Sequence, residues 1–149
     1  MDEILKYLKA KARRRHKREG GDDKRRHHLA AVARELGFDG WPHLVAVLNG
    51  DETERFGSLL YGPACWAHTN IWSTSYEEAS SIRAEHGGWL IPYEHQFVIV
   101  DRHFLESLGL DPDDPDWEVM GRDWISPRNE AARARLCRRL VRARAEALD

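Results

Sequence analysis

The sequence predicts an α+β protein: an N-terminal three-helix module, a small mostly antiparallel sheet with one or two helices, and a C-terminal Arg-rich helix. Apolar residues recur at helical spacing near both ends, whereas the centre carries short apolar or alternating runs typical of strands. Charge divides the chain in the same way, with a net +5 in residues 1–48, −11 in residues 49–127 and +4 in residues 128–149. The acidic centre also holds 11 of the 14 aromatic residues. This partition suggests either a charge-complementary assembly or a nucleic-acid contact made by the ends.

The helical module is predicted to form a first domain, residues 1–50. Its first helix is expected over residues 2–18, where Ile4, Leu5 and Leu8 share one face. A second is expected over residues 24–36, followed by Gly37, which adopts a left-handed conformation without steric cost. The third should span Trp41 to Leu48, since Pro42 fits the first turn of a helix.

Residues 51–149 are predicted to form an acidic, aromatic-rich α+β domain that ends in the basic helix. Four short runs favour strands: residues 56–61, 66–72, 89–92 and 96–100. A capping box over Ser75–Glu78 predicts a helix at 76–86, and a short helix is expected at 104–108. Two prolines predict a loop at 110–117. The last helix is expected to start with Ser126 as N-cap and Pro127 at the first helical position.

Composition bounds the class of protein. A chain of 149 residues suits one or two small domains, and two cysteines are too few for a disulfide framework, which favours a reduced, cytoplasmic protein. The first residues lack the apolar core of a signal peptide, and no run approaches the roughly 18–20 apolar residues that span a bilayer. We therefore expect no membrane association.

From His28 the chain reads HLAAVARELGFDGWPHLVAVL, which resembles a small helical module of glyoxalase-superfamily-related proteins of unknown function. The matching positions are Ala30 or Ala31, Val32, Ala33, Gly37, Phe38, Trp41, Leu44 and Leu48. The resemblance covers about the first third of the chain and implies a helical fold there. The remaining residues are too few for the paired βαβββ units of that superfamily, so neither metal ligands nor a reaction are carried over.

Two clusters of cations are candidate contacts to a nucleic-acid backbone. Guanidinium and ammonium groups neutralise phosphates, and arginine binds them with two hydrogen bonds. The alternatives are that these are solvated helix faces, or that they pair with the acidic centre of the same or another subunit. The candidates are Arg13, Arg14, Arg15, Lys17, Arg18, Lys24, Arg25, Arg26, Arg135, Arg138, Arg139 and Arg142.

The first 50 residues also look faintly like a helix-turn-helix. A recognition helix needs polar side chains that reach base edges, and the third helix offers only His43. Any nucleic-acid contact is therefore expected at the backbone and should depend strongly on salt.

A cysteine nucleophile is the main enzymatic alternative. Ala64-Cys65-Trp66 matches the centre of the papain-type motif, and His95 could act as the base of a small cysteine hydrolase. The upstream Cys-Gly and Gln of that motif are absent, and a buried thiol beside a core Trp explains the same residues. No metal site or cofactor is predicted, because Cys65 and His68 lack a second ligand pair.

The aromatic centre is also a candidate partner surface or pocket, and we expect partial exposure at Trp72 and Trp124. The candidate residues are Trp66, His68, Trp72 and Trp124. The leading hypothesis is a non-enzymatic binding or regulatory protein whose Arg/Lys-rich helices contact a nucleic-acid backbone or a partner protein. A second is a protein-interaction or immunity/antitoxin-type module that uses the acidic centre, with a homodimer as one possibility.

Overall fold

The structure is a computed structural model of the chain and describes residues 3–19, 24–61 and 70–148. Within these ranges the predicted α+β class is confirmed, with a three-stranded antiparallel sheet and a C-terminal Arg-rich helix. The helices are α1 (Glu3–Glu19), α2 (Arg25–Glu35), α3 (Trp41–Leu48), α4 (Tyr76–His86), α5 (Arg102–Ser107), α6 (Pro115–Val119) and α7 (Glu130–Glu146). The strands are β1 (Ile71–Ser73), β2 (Trp89–Tyr93) and β3 (Gln96–Val100).

The sheet has the order β1-β3-β2, and Val98 of the central strand pairs with Trp72 on one side and Ile91 on the other. Helix α4 covers one face of the sheet, where Ala79 packs with Leu90 and Ile99. The Ser75 hydroxyl caps this helix by accepting from the Glu78 N–H, as the capping box predicts. The opposite face belongs to the main hydrophobic core.

The main core joins both ends of the chain. Leu8 of α1, Val32 of α2 and Leu140 of α7 are fully buried in the same cluster as Val98 of the sheet. Helix α1 therefore packs on α2 and also contacts α7. The division near residue 50 stays a prediction, but the helical module and the rest share one apolar interior.

Three expectations about local structure need correction: the loop at 110–117, the start of the last helix and the strand at 56–61. The predicted loop at 110–117 contains the start of α6, because the Asp114 side chain accepts from the Asp116 N–H and Pro115 occupies the first turn. Helix α7 begins at Glu130 with Asn129 as its cap, and not at Ser126. The N–H groups of Ile125 and Ser126 both donate to the Asp123 carboxylate, which holds this stretch in a turn.

The predicted strand at residues 56–61 is a series of turns, with local backbone bonds such as Leu59 N–H to the Phe56 carbonyl and one long-range bond, from the Ser58 N–H to the Gly37 carbonyl. Of the run predicted at 66–72, the structure shows a strand only at Ile71–Ser73, and residues 66–69 lie outside the described ranges. Across those ranges, none of the helices combines the length and the hydropathy needed to cross a bilayer.

Candidate nucleic-acid interface and adjoining cleft

The first cationic surface lies on α1, opposite its buried side. At 100° per residue, the side chains of Leu8 and Ala12 point into the core, and four exposed cations project from the other half of the helix. Three further exposed cations open α2. Lys24 is its N-cap and forms no side-chain cap bond, and two arginines follow in the first turn. We call these seven residues the basic face: Arg13, Arg14, Lys17, Arg18, Lys24, Arg25 and Arg26.

The basic face has no charge partner within residues 3–19, 24–61 and 70–148. Among the residues that the structure describes, none of its seven cations has an ion-pair or hydrogen-bonded side-chain partner. Cations at a helix N-terminus also oppose the helix dipole, which favours negative charge there. An anion placed at the start of α2 would therefore be attracted both by the side chains and by the helix end.

Arg15 does not belong to this surface, which corrects the prediction that included it. It is buried between α1 and α2, where its guanidinium donates to the Glu35 carboxylate. Nearby, the buried His28 ring lies edge-on to His16 at 5.3 Å, with Glu19 at 3.8 Å from its Nδ1. These contacts hold α1 and α2 together on the buried side of the helices, opposite the basic face.

The α7 arginines are occupied inside the protein. Arg135 and Arg139 both donate to the Asp116 carboxylate, with shortest distances of 2.8 Å each, and Arg139 also donates to Asp114 at 2.7 Å. Hydrogen bonds from Arg135 and Arg139 outweigh desolvation and lower the pKa of Asp116 from 3.8 to about 2. Two acids of the centre, Asp114 and Asp116, and two arginines of the C-terminal helix thus neutralise one another within one chain.

The other two candidates on α7 also have protein partners. Arg138 donates to the Leu48 carbonyl at 3.0 Å, and the Arg142 guanidinium lies 3.9 Å from the centre of the Tyr7 ring while bonding Glu146 at 2.8 Å. Among the alternatives left open by the sequence, these contacts favour intramolecular pairing for the α7 cluster.

Sequence reasoning missed two further arginines of α7. Arg144 donates to the carbonyls of Leu36, Ser58 and Leu59, which ties the C-terminus of α2 to the following turns. Arg133 is buried and donates to the Trp124 carbonyl at 2.8 Å. Nothing local in the sequence distinguishes them from their exposed neighbours.

The aromatic candidates separate clearly. Trp124 is 0% exposed and packs on Phe56 at 5.7 Å, so the expectation of partial exposure there is wrong. Trp72 is 39% exposed, as expected, and its ring lies 5.4 Å from that of Tyr61 and 5.8 Å from that of Tyr93. Trp66 and His68 fall outside the described residues.

Of the proposed cysteine hydrolase pair, only His95 is described. It is exposed in the turn between β2 and β3, whereas Cys65 falls outside the described ranges, so that hypothesis stays a prediction. The other thiol, Cys137, is buried in the core, and desolvation raises its pKa to about 12. Cys137 therefore stays a protonated thiol at neutral pH and is not a nucleophile.

A cleft of about 430 Å³ opens where α2 ends. We call it the hairpin cleft, because the turn of the β2–β3 hairpin forms one wall. The α2–α3 turn and the segment before Leu59 form the others. Its lining residues are Arg34, Gly37, Phe38, Asp39, His43, Arg55, Gly57, Ser58, Glu94 and His95.

The charges of the hairpin cleft are mixed. Arg34 and Arg55 supply two cations, and Asp39 and Glu94 supply two carboxylates. Arg55 bonds Glu52 at 2.9 Å and lies 3.7 Å from Asp39. The side chains of Arg34 and Glu94 have no hydrogen-bond or ion-pair partner within the described residues. The cleft can therefore offer both cationic donors and anionic acceptors to one ligand.

His43 fixes the walls of this cleft. Its Nδ1 accepts from the Asp39 N–H at 3.0 Å, so the ring proton lies on Nε2, which donates to the Arg55 carbonyl at 2.9 Å. The ring also packs edge-on against Phe38 at 5.3 Å. The single polar side chain that could have made α3 a recognition helix is thus used for internal structure.

Two glycines form the floor where the chain crosses itself. The Ser58 N–H donates to the Gly37 carbonyl at 2.9 Å, and Gly37 has φ of +100°. Gly57 has φ of +61°, and a Cβ there would lie 2.1 Å from the Gly37 oxygen. Any side chain at Gly57 would force apart the two backbone segments that cross here, around Gly37 and Gly57, and would change the shape of the cleft.

Within the described residues, no three His, Cys, Asp or Glu side chains are grouped as metal ligands would be. No protein-family model, curated protein or solved structure matches the chain.

Proposed function

We propose that this protein is a non-enzymatic binding protein that contacts the phosphate backbone of nucleic acid through the basic face on α1 and α2. One observation carries the proposal: the seven exposed cations of this face lack partners among the described residues, whereas the α7 arginines are paired internally. Cations clustered on two packed helices, without an ion-pair partner among the described residues, attract a polyanion.

Sequence-independent contact is favoured over reading of base edges in the major groove. In α3, Leu44, Val47 and Leu48 are buried, and both nitrogens of His43 are hydrogen-bonded within the protein. Affinity should therefore come from counterion release. With about five phosphates contacted, the logarithm of the binding constant should fall with the logarithm of salt concentration with a slope between about −3.5 and −4.5.

Fluorescence anisotropy with a labelled oligonucleotide, over about 50 to 200 mM salt, tests the proposal. The test variant is Arg14→Gln/Arg18→Gln, which removes two exposed cations of the basic face. The control, Arg102→Gln/Arg128→Gln, removes two exposed arginines that lie outside the basic face. We expect the first variant to flatten the salt slope by about two and the control to leave it unchanged. Absence of binding at micromolar protein in low salt, or equal losses in both variants, would refute the proposal.

A second candidate function is protein binding at the edge strand β1. Within residues 3–19, 24–61 and 70–148, this strand pairs with β3 only, and its Ile71 and Trp72 are both exposed. An edge strand with exposed apolar side chains is a template for pairing with another strand, including that of a second copy. Trp72→Asp should then abolish self-association in sedimentation velocity, whereas Val119→Asp, at an equally exposed apolar position on α6, should not. A monomeric wild-type protein would contradict the homodimer version.

A further inference from the structure

We propose that the hairpin cleft binds one unpaired nucleotide of the nucleic acid that the basic face holds. The inference rests on the proposed function and adds the kind of ligand to it: single strands, or duplexes with an unpaired end. The cleft's volume of about 430 Å³ lies within the range of small-ligand sites, roughly 300–1,000 Å³.

The exposed side of α2 connects the two surfaces. Its N-terminus carries Arg26 of the basic face, its middle presents the small side chains of Ala30 and Ala31, and its last turn carries Arg34. These positions fall within about 140° of one another around the helix, away from the buried Val32 and His28. From Lys24 to Arg34 the helix rises about 15 Å, which equals the span of about four phosphates of one strand. A backbone that follows this side of α2 arrives at the cleft, with Arg34 placed to bind the next phosphate.

The carboxylates of the cleft favour a nucleotide over a phosphate alone. Asp39 and Glu94 would repel a bare anion, but carboxylate oxygens accept hydrogen bonds from the amino and imino groups of bases. Pairing leaves one N–H of each amino group in a groove but occupies the imino N–H and the neighbouring amino N–H. Those two adjacent donors are free together only in an unpaired base. The exposed imidazole of His95 at the rim is a ring on which a base can stack.

Hydrogen bonds and a close backbone crossing hold the walls of the hairpin cleft in place. His43 bonds backbone on both sides of the cleft, and the close crossing of Gly37 and Gly57 fixes the floor. A site held by such contacts needs little reorganisation when a ligand enters.

Three anisotropy probes test the inference: a blunt duplex, the same duplex with a four-nucleotide guanine- and adenine-containing overhang, and the overhang strand alone. We expect the overhang duplex to bind at least about fivefold tighter than the blunt duplex. The variant Asp39→Asn/Glu94→Gln should lose this preference and keep its affinity for the blunt duplex. Asp51→Asn/Glu85→Gln, an equal charge change at exposed positions elsewhere, should keep the preference.

The direction in which Asp39→Asn/Glu94→Gln changes the affinity for the overhang duplex distinguishes base recognition from simple repulsion of phosphate. If the two acids only repel phosphate, Asp39→Asn/Glu94→Gln will bind the overhang duplex more tightly, which overturns the inference. Equal affinity of the wild type for blunt and overhang duplexes overturns it as well. Circular dichroism and thermal melting of each variant verify the fold, and His95→Ala gives a second, independent loss of preference.

Titration with guanosine monophosphate, followed by NMR chemical shifts, separates this inference from the proposed function. If no oligonucleotide binds, the proposed function fails. Binding of the free nucleotide that Asp39→Asn/Glu94→Gln abolishes would then support the cleft as a nucleotide site by itself. Failure of both oligonucleotides and free nucleotide overturns both. Tighter binding of the overhang strand than of the free nucleotide identifies the strand end as the source.

Discussion

Replacing Asp116 by Asn tests whether the α7 arginines are structural. The Asp116 side chain is only 10% exposed and accepts hydrogen bonds from two guanidinium groups, those of Arg135 and Arg139. These bonds lower its pKa from 3.8 to about 2. Because one pKa unit corresponds to about 1.4 kcal/mol, the charged form is stabilised by about 2 kcal/mol in the folded state. Asp116→Asn should lower the free energy of unfolding by this amount at pH 7.

The pH dependence follows from the direction of the shift. A carboxylate whose pKa is depressed by folding contributes its full stabilisation above the pKa of the unfolded chain, and loses it as pH falls through the folded value. The difference between wild type and Asp116→Asn should therefore stay constant from pH 7 to about 5 and shrink between about pH 4 and 2. Urea unfolding at several pH values measures it.

Asp113→Asn is the matched control, because Asp113 forms a comparable two-bonded pair with Arg102 in which both side chains are more than half exposed. Solvent and salt screen an exposed pair, so a smaller loss of stability is expected. Equal losses in the two variants, or a loss in Asp116→Asn that does not change with pH, would refute the reasoning. Asp116→Asn also frees Arg135 and leaves Arg139 paired with Asp114 alone. If α7 contacts phosphate, its salt slope will steepen, whereas contact through the basic face alone leaves the slope unchanged.

Three further predictions concern stability and reactivity. Gly57→Ala should lower the free energy of unfolding in urea by more than about 2 kcal/mol, since it combines a left-handed conformation with a backbone clash. The control Gly50→Ala, at a position with positive φ but nothing within 4 Å, should lower it by only about 1 kcal/mol. Similar losses in the two variants would contradict the close crossing of Gly37 and Gly57 as the cause. Arg144→Met should cost about 2–3 kcal/mol, because three carbonyls lose a charged donor; a neutral effect would show that water replaces it. In a Cys65→Ser variant, Cys137 should react with a thiol reagent only after denaturant is added, and rapid reaction under native conditions would contradict its burial.

The elements that sequence predicts best have strong local signals. Helix α3 has the predicted bounds, since Pro42 marks its first turn and Asn49 follows its last apolar residue. Gly37 has the left-handed conformation expected after α2. Helix α6 was missed although Asp114 and Pro115 are a cap and a first-turn proline, because two prolines and four acids in eight residues also fit a loop.

Competing local signals explain the start of α7. Ser126-Pro127 and Asn129 are both reasonable caps, and sequence alone cannot rank them. The choice depends on Asp123, whose carboxylate accepts from the N–H groups of Ile125 and Ser126 and so commits that stretch to a turn. This turn also presents the Trp124 and Ile125 carbonyls to Arg133.

Candidate site residues were predictable where local helix spacing determines their exposure, and not where it depends on partners far away in the sequence. Exposure of Arg14 and Arg18 follows from the periodicity of α1, so the basic face could be predicted from spacing. The pairing of Arg135 could not be predicted from spacing, because its partner Asp116 is 19 residues away and the contact depends on how α6 packs on α7. The hairpin cleft brings together α2, a turn and a hairpin, and no sequence pattern joins them.

Net charge is a poor guide to what this protein binds, because the internal pairs change where the charge acts. The chain carries a formal −2, and an average field of that sign would repel a polyanion. Yet Asp114 and Asp116 are neutralised by α7 arginines at 2.7–2.8 Å, so that part of the acidic centre contributes little beyond its own surroundings. At physiological salt, charges farther than about 8 Å are largely screened, and a bound strand responds to the nearest cations. Those of the basic face have no such compensation within the described residues, so under the proposed function we expect this surface to determine whether a polyanion is attracted.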